Sequence, residues 1–396
     1  MSRATTIALA VLYAIIPLYG TLAGLAAETP GIPPLIPRAA AALFLLAAVT
    51  ALLVVAPAAA RVARRDALTF AFLAPGIATL LAAVPGFDPP MGIGLGVLVT
   101  GLGGTGLVIM RTADAAAVRL FVRTFLWSAL GASALALAML VSHRPAAIYA
   151  FNNGRAIGTF LNPNELAGYT LIALGAAIPL AVASRGRDRL ATVCAIVLVV
   201  TLGATFSRWG ALSAVVGVAV YALFARARPL LAAAVVVALA GVALNAAAGA
   251  SHHNPRDTEA RAVAWRTGWT TFQRFPLLGV GPLAFPRTYD AMRPPEAPGT
   301  RTAVAFDPHS LPIAFAADGG IVAVVTLTAC FTIILRTVLR EARGAAALQR
   351  ALGFGLAAGM VALLFDCSIN TLNLIFPLCL QVVPLALAVV RTDALR

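Results

Sequence analysis

Apolar residues run along this chain in blocks of about 18 or more, and each block is long enough to cross a bilayer as a helix. The blocks lie at roughly 5–27, 38–60, 67–84, 91–110, 117–142, 166–184, 189–206, 209–225, 229–249, 311–336, 350–368 and 373–391. The pattern therefore predicts an all-α, polytopic integral membrane protein with about 12 transmembrane helices. Only one polar interval is long, at about 250–310. The first block, "MSRATTIALAVLYAIIPLYGTLAGLAA", has the look of a signal peptide, but with so many spans behind it the expectation is an uncleaved first helix. "GIGLGVLVTGLGGTG" (Gly92 to Gly106) lacks the lysine–serine ending of a phosphate loop and is expected to be a close helix-packing surface.

Composition sharpens this picture. Hydrophobic residues make up 61% of the 396 and charged residues 11%, with a mean hydropathy of +0.92, against about 25% charged for a soluble domain. The apolar content is lipid-facing and interhelical surface. The formal charge of +14 comes entirely from arginine; a GC-rich genome accounts for it, and no nucleic-acid partner is expected. Cys194, Cys330, Cys367 and Cys379 lie in or beside apolar blocks without a CxxC pair, so they read as packing residues. Adjacent His252 and His253 lack a third ligand at metal spacing.

Orientation follows from the arginine bias of short loops. With the N-terminus in the cytoplasm, Arg61, Arg64 and Arg65, then Arg111, Arg119 and Arg123, then Arg185, Arg187 and Arg189 fall inside. Arg226, Arg228 and the group from Arg336 to Arg350 join them. The short outer segments keep only Arg38, Arg144, Arg155 and Arg208. An even number of spans then leaves both termini cytoplasmic.

The costly polar residues collect on the outer face. "RAIGTFLNPNELAGY" carries Arg155, Asn162, Asn164 and Glu165, with Pro163 breaking any helix before the sixth span. "TFSRWGA" sets Arg208 at a tight turn. Within the long loop, "DTEARAVAWRTGWTTFQRF" reads as an amphipathic helix with Asp257 as N-cap. Trp265, Trp269 and Phe272 are expected on one apolar face together with Arg261, which there needs an anionic partner. Arg266 and Arg274 point elsewhere, toward lipid headgroups. "PLLGVGPLAF" suits close backbone approach. "FDPHSL" brings Asp307 and His309 to the mouth of the tenth span. Asp366, in "FDCSIN", is an intramembrane acid and hence a functional candidate, with a structural hydrogen-bonding role as its alternative. Arg155, Arg208 and Arg261 come from three outer segments. If they converge, they form a site for a di-anionic ligand at headgroup depth, because guanidinium groups bind phosphate bidentately. A lipid pyrophosphate fits such a site.

The stretches "RAIGTFLNPNELA", "SRWGAL", "RAVAWRTGWTTFQRFPLLGVGPLAF" and "HSLPIAFAADGGIVAVV" resemble, in that order, the O-antigen ligase/polymerase superfamily of bacterial membrane glycosyltransferases. The resemblance covers roughly residues 150–330; residues 1–149 match only as generic spans, the first five helices. It divides the chain into 1–149 and a ligase-like region 150–396 that includes the loop 250–310. Asp318 stands where the family often has glutamate, and Ala323 where it often has a second glycine.

The resemblance implies inverting transfer of a glycan from undecaprenyl pyrophosphate to an acceptor hydroxyl on the periplasmic side of the inner membrane, with no metal or other cofactor. It implies that Arg208 and Arg261 hold the pyrophosphate, assisted by Arg155 and oriented by Asn164 or Glu165. It implies that His309 sits by the acceptor hydroxyl as general base or positioning donor, with Asp307 the runner-up base. Asn162, Trp265 and Arg266 border the substrates. The expected acceptor is the lipid A–core, since protein-directed relatives tend to be longer and this chain stops after its twelfth span. A polysaccharide polymerase or a protein glycosyltransferase is the alternative within the superfamily. A transporter, with ionisable residues near the midplane of repeated broken helices, is the alternative outside it.

Overall fold

The computed structural model describes residues 1–19, 35–160, 162–226, 255–293, 307–370 and 375–392. Among these residues every regular element is helical. In chain order the helices are α1 (Arg3–Ile15), α2 (Leu35–Val62), α3 (Ala67–Ala83), α4 (Pro89–Thr112), α5 (Ala115–Ser142), α6 (Ala146–Phe151), α7 (Pro163–Ala183), α8 (Arg189–Ala204), α9 (Arg208–Ala225), α10 (Pro255–Arg274), α11 (Phe285–Met292), α12 (Leu311–Gly344), α13 (Ala347–Cys367) and α14 (Ile375–Arg391).

Seven of the described helices, α2, α4, α5, α7, α9, α12 and α13, are long and apolar enough to cross a membrane. α1, α3, α8 and the end of α14 are shorter apolar helices. The expected span 229–249 lies outside the described residues, as do the later part of the first span and His252 and His253. Together with the family match reported below, these helices make the chain a multi-pass membrane protein.

The polar breaks act as helix starts. Asp66, Asp114, Asp188 and Ser207 each accept a hydrogen bond from a backbone N–H three residues on, which satisfies one of the donors every helix N-terminus leaves open. Glycine sets the interhelical distances. A Cβ on Gly103 of α4 would stand 1.9 Å from the Phe72 carbonyl oxygen of α3, and one on Gly355 of α13 would stand 2.2 Å from the Gly175 oxygen of α7. Backbones this close are the packing expected where lipid removes the hydrophobic drive between helices. Cys194, Cys330 and Cys367 are buried, with no disulfide among the described residues.

The bundle has two chemically different ends. At one, Arg111 bridges to Asp66 at 2.5 Å and also donates to the Val62 carbonyl, and Arg391 pairs with Glu341 at 2.6 Å. At the other end lie the start of α7, the α8–α9 turn, α10, α11, the start of α12 and the end of α13.

Two elements depart from the sequence expectation. Helix α10 begins at Pro255, so Asp257 falls inside its first turn; proline suits the first helical position because its φ is already set. Its packed face is Ala264, Thr267, Gly268 and Thr271, small residues that let it lie close to α12, where Gly268 abuts Pro308 and Ile313. The aromatic stripe divides: Trp265 turns to the His309 loop, and Trp269 is 52% exposed beside Phe272. Second, α12 is broken at Gly320 (φ 62°, ψ −161°), a region of backbone space essentially reserved for glycine.

Candidate functional site

The opening of α7 and the α8–α9 turn form one hydrogen-bonded unit. Arg155 donates from Nε to the Thr205 carbonyl at 2.7 Å and from Nη2 to Asn164 Oδ1 at 3.1 Å. Ser207 Oγ lies 3.0 Å from the same Asn164 oxygen and accepts from the Gly210 N–H as cap of α9. Asn162 Oδ1 caps α7 by accepting from the Asn164 N–H at 2.8 Å. Asn162 and Asn164 thus hold backbone and side chains in place, and Arg155 devotes two donors to the same frame. Arg155 also borders a shallow crevice with Arg144, Tyr149 and Met139. Glu165 is only 3% exposed in the first turn of α7, where the helix N-terminus favours negative charge.

Arg208 emerges from this frame as the first residue of α9. It is exposed, and among the described residues it has no ion pair or hydrogen bond. The next residue, Trp209, packs against Phe365 of α13 with ring centroids 6.3 Å apart. One turn further, Ser213 faces Asp366, which is fully buried. Asp366 Oδ1 accepts from Asn370 Nδ2 at 3.2 Å, while Oδ2 and the Ser213 hydroxyl are buried without a hydrogen bond of good geometry. Arg261, on α10, is close enough for its charge to act on the Asp366 carboxylate.

The third component is the loop before α12. Asp307 Oδ1 accepts from the His309 N–H at 2.6 Å, and Trp265 Nε1 donates to the His309 carbonyl at 3.2 Å. These contacts hold His309 in a left-handed conformation (φ 51°), uncommon for a residue with a side chain. Its imidazole stays 43% exposed, with Nδ1 3.7 Å from the same Asp307 oxygen. α10 therefore relates the two groups: the charge of Arg261 acts on Asp366 of α13, and Trp265, one turn on, fastens His309. Arg266 and Arg274 are exposed, and Arg274 touches only the Met292 sulfur at 3.9 Å.

Among the described residues no three His, Cys, Asp or Glu side chains cluster as a metal would require. The glycine loop 275–284 lies in the break of α12. The Ile321 N–H donates to the Pro276 carbonyl at 2.8 Å, and the Val280 and Gly281 N–H groups donate to the carbonyls of Ala317 and Asp318 at 2.9 and 3.0 Å. Asp318 Oδ2 accepts from the Leu283 N–H at 3.2 Å, with Oδ1 buried and without a hydrogen-bond partner. Asp318 is tied to that loop.

A family model described as O-antigen ligase matches residues 190–328, from α8 into α12. That match supports membership of the O-antigen ligase superfamily. No match to a curated protein accompanies it. The superfamily is one of glycosyltransferase-like membrane enzymes, and the matched segment holds Arg208, Arg261, Trp265, Arg266, Asp307 and His309. Arg155, Asn162, Asn164 and Glu165 lie before it, and Asp366 lies after it. Sequence reasoning singled out Asp366 and Arg261 separately; what it missed was their proximity, along with the Ser207–Asn164 contact. The unmet need of an arginine on a packed face was the available signal.

Proposed function

We propose that this protein transfers a glycan from a polyprenyl pyrophosphate, with undecaprenyl the expected chain, to a hydroxyl group of an acceptor at the outer membrane surface, with lipid A–core as that acceptor. The observation that carries the reading is the single helix α10, whose Trp265 bonds to the His309 backbone and whose Arg261 charge acts on Asp366 of α13, inside the O-antigen ligase match.

Arg208 and Arg261 hold the pyrophosphate and offset the charge that grows on it as it leaves. Arg155 supports them from behind: it fixes Thr205 and Asn164, so that Ser207 caps α9 and Arg208 starts the helix. His309 takes the proton of the acceptor hydroxyl while the acceptor oxygen attacks the anomeric carbon from the face opposite the phosphate. The anomeric carbon–oxygen bond to pyrophosphate breaks, one glycosidic bond forms with inversion, and polyprenyl pyrophosphate departs. Asp307, beside Nδ1, stabilises the imidazolium and keeps the ring oriented. Such a base contributes about 10²–10⁴-fold.

The deciding experiment supplies purified protein with a glycan on polyprenyl pyrophosphate and candidate acceptors, and identifies the product by mass. A new glycosidic product on lipid A–core supports the reading. Product only on a second copy of the donor glycan makes it a polymerase. Unchanged donor in that assay, combined with movement of donor across proteoliposomes, sinks the enzymatic reading in favour of transport.

A further inference from the structure

We propose that the turn between α3 and α4, residues 84–88, is a positioning element of this site, although it lies outside the matched segment. The inference rests on the reading of Arg261 and His309 given above. The break in α12 leaves backbone groups that the helix no longer satisfies, and the peptide 276–281 meets them. It accepts from the N–H groups of Ile321 and Val322 and donates to the carbonyls of Ala317 and Asp318. In a membrane protein non-helical backbone is tolerated where protein encloses it or where it lines a water-filled cavity, and here protein covers one side of this peptide.

The α3–α4 turn does so at three points, and a fourth contact reaches α11, the helix that follows the peptide. The Phe87 N–H donates to the Val280 carbonyl at 2.8 Å. Gly86 lies directly on Gly281, such that a Cβ on Gly86 would stand 2.7 Å from the Gly281 Cα and 3.1 Å from the Val280 oxygen. Phe87 meets Phe275 edge to face, with centroids 5.8 Å apart. Asp88, at the start of α4, pairs with Arg287 at 2.6 Å.

The clamped peptide is joined to both halves of the site. At its start, the Phe275 N–H bonds to the Thr271 carbonyl and continues α10, the helix of Arg261. On its inner side it holds the first half of α12, whose N-terminus begins one residue after Ser310, next to His309. Displacing the turn from the peptide therefore shifts Arg261 and His309 together. A misplacement on the ångström scale, introduced far from the chemistry, is expected to cost about 10²-fold in rate.

The test compares full-length wild type with Gly86→Ala and Asp88→Asn, in detergent. Three quantities are read: amide hydrogen exchange by segment, binding of a polyprenyl pyrophosphate, and glycan transfer. For Gly86→Ala the expected result is faster exchange over 276–284 that extends to 307–319, unchanged exchange near Asp66 and Glu341, and transfer down about 10²-fold. Asp88→Asn should give the same pattern with a smaller amplitude, and it decides the matter if Gly86→Ala does not fold. Faster exchange confined to 276–284 with wild-type transfer would overturn the proposal, as would wild-type exchange throughout. If the wild type itself binds no pyrophosphate and transfers nothing, the site reading fails; spread of exchange to 307–319 still supports the mechanical link, and its confinement still refutes it.

Discussion

Arginine and lysine carry the same charge, and the difference between them separates the residues of this site by role. Arg208→Lys and Arg261→Lys lose the planar fork that meets pyrophosphate. Two charge-assisted bonds at roughly 1.5–3 kcal/mol each correspond to a fall in transfer of about 10²-fold or more, since tenfold is about 1.4 kcal/mol. Arg266, exposed on α10, needs only a point charge, so Arg266→Lys should stay near wild type. His309→Ala should abolish transfer and keep pyrophosphate binding, because its assigned partner is the acceptor. Turnover and binding measured across these four variants check the assignment; an Arg261→Lys that behaves like Arg266→Lys would make Arg261 an interfacial anchor. Asp366→Asn keeps the shape and removes the ionisable carboxyl on which the Arg261 charge acts, so it should lower transfer with folded yield preserved.

Helix breaks and helix caps carry their own predictions. Gly320 combines a glycine-only conformation with backbone contact: a Cβ there would stand 2.3 Å from the Leu277 carbonyl carbon and oxygen. Gly320→Ala should cost at least the ~1–3 kcal/mol of a strained backbone position, seen as a lower unfolding temperature and a loss of exchange protection over 276–281. At the opposite end, Asp66 caps α3. The Thr69 N–H holds its carboxyl below the usual aspartate value, with the Thr69 hydroxyl and Arg111 acting in the same direction against partial burial. A depressed folded value means this stabilisation is fully present above the unfolded aspartate pKa of about 3.9 and is lost as pH falls through the lower folded value. The gap in unfolding temperature between wild type and Asp66→Asn should accordingly exist at neutral pH and shrink in strong acid.

The whole molecule separates a basic end from the end with the candidate chemistry, and orientation gives that separation its meaning. A reporter active only outside the cytoplasm should work when fused near residue 255 or 300 and fail near 186 or 345. Signal at 345 would put the arginine frame on the wrong side for a periplasmic donor. Purified protein should also transfer glycan in the presence of chelator and without nucleotide, because the donor ester already stores the energy and arginines supply the charge. Activity lost to chelator and restored by a divalent ion would overturn that account.

Some of this was legible in the sequence, and the reason is local. Nine expected spans coincide with described helices within about three residues, as with 91–110 against Pro89–Thr112 and 209–225 against Arg208–Ala225, and a tenth, 311–336, shares its start with a helix that runs on to Gly344, because hydropathy and caps act over a single turn or a single span. Arg208, Arg261 and His309 stood out because charge and imidazole are rare in so apolar a chain. The rest depends on contacts between distant segments. No window of sequence shows that the charge of Arg261 acts on Asp366, that Trp265 leaves its aromatic stripe for the His309 carbonyl, or that Gly320 opens α12 to receive the peptide 276–281. Residues 84–88 read as an ordinary loop, and only packing brings Gly86 onto Gly281. Burial and helicity are properties of a segment, whereas the place of an arginine relative to its partners is set by how helices cross, and that the tertiary structure alone decides.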